Sequence, residues 1–341
     1  MAEGVANEVV IGNAEDSCPP SHRRIHCIVK LGGAAITQKT ELETINESIL
    51  AITALQLREA MEMRSPFVKM DWSRGNTSAE DVNMQILSLA AVERHLDFPN
   101  AFVVVHGAGS FGHFQASRSG VQRGDLNTPL VKAGLVATRI SVTKLNHEVV
   151  RHFASEGIPA VGISPLSAGW CTKNKNFKED DMTAVECTVN AGFIPVVHGD
   201  GVLDSAEGCS ILSGDLIVRQ LAKGLKPSFV VFLTNVPGVF DRPPSEPNAV
   251  LLKEIGQTEL LWWISPCNAV QITVAAHDTT GGMAGKISEA AVIAAIGIDV
   301  YIVQAGTPHA LEALKGNVKC SESKKRWIGT LVRSAQSKLI A

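Results

Sequence analysis

The chain has 341 residues, 45% of them hydrophobic and 19% charged, with 31 basic and 34 acidic side chains and a formal charge of −3. That is enough apolar material for a large buried core, which excludes an extended polar chain, and the near balance of charge leaves no overall field to gather nucleic acid or an anionic membrane. Any polyanion must therefore be met by individually placed cations, and a small anionic ligand is favoured.

The longest strongly apolar stretch, Ala290 to Ile298, is far shorter than the roughly 18–20 residues of a membrane helix. The seven cysteines form no CxxC or CxxH pair, so they read as reduced thiols and not as a disulfide framework or a zinc site. Glu3, Glu8, Glu15 and Asp16 precede the first arginine, Arg23, a pattern unlike a secretory or transit peptide. A cytoplasmic location is expected, with residues 1–23 a disordered N-terminal extension around Pro19-Pro20.

In chain order, "RIHCIVKLGG" (Arg24 to Gly33) predicts a strand running into a diglycine, and Glu43 to Met63 carries apolar residues at helical spacing. Residues 64–100 lose clear periodicity and read as an insertion with a short helix over Val82 to His95. "VVVHGAGSFGHFQ" (Val103 to Gln115) follows, in which β-branched residues suited to a strand buried on both faces end in a glycine-rich turn. A long helix from Thr128 towards Gly157 leads to a strand in "IPAVGISP". "GFIPVVHGDGVLD" then repeats the strand-His-Gly pattern, with His198-Gly199 echoing His106-Gly107 on the same sheet edge. Ser213-Gly214-Asp215 opens a helix, "PSFVVFLTNVPGVFD" gives a strand and turn, and "TTGGMAGK" opens an alanine-rich helix before the strand Val300 to Gln304.

Alternating strands and helices of this kind predict one α/β domain with helices on both faces of its sheet. Ligands of such sheets bind at the carboxyl ends of the strands, where Lys30 and the glycine turns fall. Gly281-Gly282 opens a helix with Lys286 in its first turn, and a helix start beside a lysine suits phosphate. No GxxxxGK[ST] surrounds these glycines, so the site is not a P-loop.

"KLGGAAITQK", "VVVHGAGSFGH", "HGDG", "SGD", "LTNVPGVFD" and "TTGGMAGK" stand in the order and spacing of the amino acid kinase superfamily. The histidine of "GAGSFGH" makes the chain resemble the isopentenyl phosphate kinases within it, over about residues 24–334, and the insertion resembles that of plant members. The resemblance implies a three-layer αβα sandwich with a central mainly parallel sheet, an acceptor side over about 24–205, an ATP side over about 206–341, and a homodimer. It implies ATP-dependent phosphorylation of isopentenyl phosphate to isopentenyl diphosphate, with Mg2+ held by phosphates and water. The alternatives are a kinase of the same superfamily acting on a carboxylate or a nucleoside monophosphate, and a non-catalytic ATP sensor.

Carried over by motif, Lys30, Lys39 and Lys286 would contact the transferring phosphoryl group, and Asp215 would orient lysines through salt bridges. Leu31, Gly32, Gly33, Ala34, Gly109, Asn235 and Gly282 would line ATP, Gly32 to Ala34 through backbone N–H groups, and Asn235 stands where many members have aspartate. His113 would donate a hydrogen bond to the acceptor phosphate, with Ala108 and Gly201 beside it. Asp200 reads as turn-forming or catalytic, His106 and His198 read as structural, no protein ligand for a metal is named, and Val131, Leu135, Ile163 and Phe114 are candidates for an apolar tail pocket.

The chemistry of a phosphate acceptor agrees with this set. A phosphate monoester is largely dianionic at neutral pH and needs no general base. It needs cations, because even two unit charges at 4 Å repel by roughly 1 kcal/mol in water and by more in a drier site. Phosphoryl transfer spreads its charge over equatorial oxygens, so positioning and electrostatics do the catalysis.

Overall fold

The computed structural model describes residues 23–38, 40–63, 100–178, 182–242, 244–257, 262–265, 282–319 and 326–334. The expected extension up to residue 22, the insertion at 64–99 with its helix, Lys39 and Gly281 lie outside the described residues.

A nine-stranded sheet organises the chain. Its strands are β1 (Ile25–Leu31), β2 (Ala101–His106), β3 (Ala160–Ile163), β6 (Ile194–His198), β9 (Phe229–Thr234), β10 (Glu254–Gln257), β11 (Trp262–Ser265), β12 (Asp299–Gln304) and β13 (Thr330–Ser334). The order across the sheet is β11-β10-β13-β12-β9-β1-β2-β6-β3. Pairing is parallel except for β10 with β11 and β12 with β13. The expected mainly parallel αβα sandwich is therefore what the chain forms.

Continuous β-branched runs such as Val103, Val104 and Val105 make this possible, since both faces of the sheet are covered and every side chain of β2 is buried. One face packs α2 (Glu47–Ala60), α4 (Pro129–Ser155) and α8 (Pro308–Leu314) through Leu50, Leu57, Leu145, Phe153 and Leu314. The opposite face packs α5 (Thr183–Asn190), α6 (Gly214–Leu225) and α7 (Gly282–Ala295) through Val185, Ile217, Leu221, Ala290 and Ile293. Lys30 follows Ile28 onto the second face, under α6, because successive strand residues alternate between faces.

Three elements differ from the sequence reading. The helix predicted from Glu43 begins at Glu47, where the Asn46 side chain accepts from the Ile49 N–H and caps it. "GDGVLD" and "CSIL" are not simple turns: β7 (Asp200–Asp204) and β8 (Gly208–Leu212) form a hairpin. Together with β4 (Thr172–Lys173) and β5 (Asn176–Phe177) it makes a second, four-stranded sheet. Asp204 ties it together by accepting from the backbone N–H groups of Asn174, Lys175, Ala206 and Glu207 and from the Thr172 hydroxyl.

The chain leaves β1 for β2 on one side and later enters β9 on the other, so β1 stands at a switch point of the sheet, where a crevice opens at the strand ends. The parallel registers set His106 opposite both Leu31 and His198. The two imidazoles stack at 5.7 Å between ring centres, both buried in the sheet. Asn146 of α4 fixes the tautomer of His106 by donating from Nδ2 to its Nε2 at 3.1 Å, leaving Nδ1–H to donate to the Gly107 carbonyl at 3.0 Å.

Burial, then the neighbouring His198 imidazole, lowers the His106 pKa to about 3. The unfolded chain takes up the proton near its ordinary pKa of about 6.5 and the folded chain does not, so stability is lost as pH falls from about 6.5 towards 3. Each such residue steepens that loss by up to about 1.4 kcal/mol per pH unit. Urea denaturation across this range is expected to show the slope, and His106→Gln to flatten it; an unchanged slope in the variant would contradict a neutral buried His106.

Candidate active site

The crevice is floored by two glycine turns packed backbone to backbone. After β1, the Gly32 N–H donates to the Leu233 carbonyl at 2.8 Å, and Gly33 and Ala34 open the short helix α1 (Gly33–Ile36). After β2, the Gly107 N–H donates to the Leu31 carbonyl at 3.0 Å and Gly109 adopts a φ of +53°. A Cβ on Gly33 would collide with the backbone of Gly109, so neither turn tolerates a side chain there. Thr37 stitches the two turns, its hydroxyl donating to the Gly33 carbonyl at 2.8 Å and accepting from the Ser110 N–H at 3.0 Å. Because the Gly32 amide is engaged with Leu233, it is corrected from a phosphate donor to a strand-end anchor. In α1 the Ala35 and Ile36 amides donate to the Gly32 carbonyl, at 2.8 and 3.2 Å, and those of Gly33 and Ala34 precede the first helical acceptor.

Lys30 is 4% exposed at the end of β1, and its Nζ lies 2.7 Å from Asp215 Oδ1. Asp215 sits in the first turn of α6, whose start is capped by the Ser213 hydroxyl accepting from the Leu216 N–H at 3.1 Å. Its other oxygen, Oδ2, lies 3.7 Å from Lys286 Nζ on α7. One carboxylate thus gathers the ammonium groups of a strand and a helix far apart in sequence. Burial lowers the Lys30 pKa, Asp215 opposes that, and the neighbouring charge of Lys286 lowers it further.

His113 opens α3 (His113–Ser119), which Gly112 presses against Val142 of α4. The imidazole is open to solvent on one side, yet the protein crowded around it, then the positive charges of Lys286 and Lys30, hold its pKa below the ordinary histidine value. The structure therefore brings Lys30, Lys286, Asp215 and His113 to one crevice, with Ala108 and Gly109 between β2 and α3. Asn235 follows β9 and lines a 150 Å3 cleft with Ala34, Thr234 and Gln304.

Gly201 lies against Leu135, and Leu135 and Val131 share a small apolar cluster with Ala116 of α3. Ile163 does not join them: it packs into the core beside Trp170, and Phe114 lies under the Arg118 guanidinium at 6.0 Å. Asp200 accepts from the Gly201 and Leu166 N–H groups, the Ser164 hydroxyl and Arg139 Nε, the last at 3.3 Å, which holds the start of β7 in place.

The sequence reading missed Glu43. It holds a φ of +51°, and its carboxylate accepts from the Ser141 hydroxyl at 2.6 Å and from Lys144 Nζ at 2.8 Å, both on α4. Gln115 of α3 donates to it at 3.4 Å. Residues 40–46 are thereby anchored to the two helices beside the crevice. Among the described residues, no group of three His, Cys, Asp or Glu side chains could hold a metal ion.

Glycine turns, helix starts and a paired cationic couple at the carboxyl edge of a parallel sheet define an α/β protein that holds phosphorylated ligands. The chain belongs to the amino acid kinase family, whose model matches residues 73–304. It is 54% identical to isopentenyl phosphate kinase from Arabidopsis thaliana over 323 residues, 91% of this chain and 96% of that protein. It is 34% identical to isopentenyl phosphate kinase from Methanothermobacter thermautotrophicus over 220 residues, 63% of this chain and 80% of that protein. A crystal structure of an isopentenyl phosphate kinase superposes with a TM-score of 0.64 at 26% identity, covering 90% of this chain and 99% of its own.

Asp215 raises the Lys30 pKa against burial, so Asp215→Asn leaves a buried lysine unpaired, a loss of roughly 3–5 kcal/mol for such pairs. In that variant the basic limb of the kcat–pH profile, set by loss of the Lys30 proton, is expected at lower pH, with kcat down roughly 100-fold. A profile superimposable on wild type would show that Asp215 does not hold Lys30 charged.

Proposed function

We propose that the chain transfers the γ-phosphoryl group of ATP to isopentenyl phosphate, forming isopentenyl diphosphate. The carrying observation is that Lys30 at the end of β1 and Lys286 on α7 share the Asp215 carboxylate, with His113 opening α3 after the turn that follows β2. Two lysines and a histidine facing one crevice suit two phosphate groups brought together, and the relatives named above are isopentenyl phosphate kinases.

In this reading a phosphate oxygen of isopentenyl phosphate attacks the γ-phosphorus and the bond to the β–γ bridging oxygen breaks, so ADP leaves. No proton is abstracted, because the acceptor is already dianionic. Lys30 and Lys286 draw charge from the equatorial oxygens as they form, and Lys39 adds a third cation from residues 37–46. His113 donates a ring N–H to the acceptor phosphate. Gly33, Ala34 and Gly109 offer backbone donors to the ATP phosphates, while Leu31, Asn235 and Gly282 flank the nucleotide. Ala108 and Gly201 close the acceptor side, and Leu135 with Val131 begins the apolar surface for the tail.

Mg2+ arriving with ATP would neutralise part of the β- and γ-phosphate charge; the donors assigned here are cations and amides, so we assign its coordination to phosphate oxygens and water. The exposed Leu130, Val136 and Ile140 on α4 support the expected homodimer. No helix among the described residues is long and apolar enough to cross a membrane, and with the free thiols of Cys27, Cys171, Cys187 and Cys209 we place the protein in the cytoplasm.

The test is ADP release with Mg-ATP and a panel of isopentenyl phosphate, dimethylallyl phosphate, acetylglutamate, aspartate and UMP. Release is expected with isopentenyl phosphate, and Lys39→Ala and His113→Ala are each expected to cut it by roughly 100-fold or more while the fold persists. Wild-type turnover in both variants, or release only with a carboxylate or UMP, would overturn the assignment.

A further inference from the structure

Helices α6 and α7 lie side by side on one face of the sheet and both begin at the crevice. Beyond Asp215 and Lys286, a second pair joins them one turn deeper. Arg219 Nη1 lies 3.0 Å from Glu289 Oε2 and 3.3 Å from Oε1, with the guanidinium 29% and the carboxylate 19% exposed. On α6 the order from the crevice is acid then base, Asp215 and Arg219; on α7 it is base then acid, Lys286 and Glu289.

We propose that Arg219 and Glu289 are positioning residues of the phosphate site, fixing the height of Lys286 at the crevice by locking α7 in one register against α6. This rests on the kinase reading given above for Lys286. A lysine is a flexible stem with a compact charge, and its contact with Asp215, at 3.7 Å, is longer than that of Lys30. How far its ammonium reaches into the crevice therefore also depends on where α7 stands. Sliding α7 by one turn, about 5.4 Å, would set Glu289 against Asp215 or Lys286 against Arg219, like charge against like. Only the observed register pairs opposite charges at both levels.

The chemistry of Glu289 fits such a lock. Burial raises its pKa, Arg219 opposes that, and Asp215 raises it again. Arg219 thus favours the charged form of Glu289 against burial, and losing either partner removes the same ion pair. Apolar packing through Ala290 and Ile293 still holds α7 to the sheet, so what is lost is height along α6 and not attachment.

The experiment compares wild type, Arg219→Met, Arg219→Lys, Glu289→Gln and the double variant Arg219→Met/Glu289→Gln as full-length folded enzymes. kcat and KM are read with Mg-ATP and isopentenyl phosphate, affinity for the non-hydrolysable analogue AMPPNP by titration, and folding by thermal melts. Each charge-removing single variant is expected to lose roughly 10-fold in kcat and to bind AMPPNP several-fold more weakly, since an ångström of misplacement can cost up to about 100-fold. The double variant is expected to be no worse than the weaker single, and Arg219→Lys to recover most of the activity. A well-folded Arg219→Met and Glu289→Gln with wild-type kcat and AMPPNP affinity, or losses that simply multiply, would overturn the lock. A wild-type enzyme that binds AMPPNP but does not turn over isopentenyl phosphate would instead overturn the substrate reading, and the AMPPNP comparison would still decide the lock. Should Arg219→Met fail to fold, Glu289→Gln and Arg219→Lys carry the same decision.

Discussion

The contact between Lys30 and Asp215 is the interaction on which the site depends. A lysine at the end of the central strand β1 is almost wholly removed from water, and burial alone pushes it towards the neutral form. One carboxylate, brought in at the start of α6, keeps it charged and at the same time reaches Lys286 on α7. Two cations share one anion, so the cluster retains a net positive charge, and an incoming phosphate completes the balance. The cost of burying charge is thus converted into affinity for an anion at one point on the sheet edge.

Everything around that point limits where the anion can sit. The turns after β1 and β2 are pressed so closely that Gly33 and Gly109 leave no room for a side chain between them. The stacked His106 and His198 fill the sheet below without charge, so they add no competing cation beneath the lysines. Glu43 holds residues 40–46 against α3 and α4 from the outside. Its left-handed backbone is unfavourable for a side chain of its kind and is offset by the three groups that bind its carboxylate.

Much of this was legible in the sequence because it rests on local signals. Runs of valine ending in His-Gly mark strands buried on both faces, and the pairing of His106 with His198 follows from two such strands lying parallel in register. Lys30, Asp215 and Lys286 could be nominated because each stands beside a glycine turn at a strand end or a helix start. The hairpin β7–β8 escaped notice because its short strands are interrupted by Gly201 and begin at an aspartate, which reads as turn chemistry. Glu43, Arg219 and Glu289 carry no local signal at all: each looks like an ordinary surface charge until packing shows what it touches. The motif carries Gly32 over as a donor to the ATP phosphates, whereas only the sheet register shows that Leu233 takes its amide. Ile163, a candidate for the tail pocket, packs into the core, and an apolar residue near a site cannot be told from a core residue without knowing which face it meets.

The most direct test of the central claim is the pKa of His113, followed by NMR of histidine-labelled protein with the resonance assigned through a His113→Gln variant. Free protein is expected to titrate below the ordinary histidine value of about 6.5, because it is crowded by protein and faces Lys286 and Lys30. Saturating isopentenyl phosphate should raise that pKa clearly, as the dianion screens the lysines and accepts from the imidazole. A titration unchanged by the ligand would place the acceptor elsewhere and contradict the account.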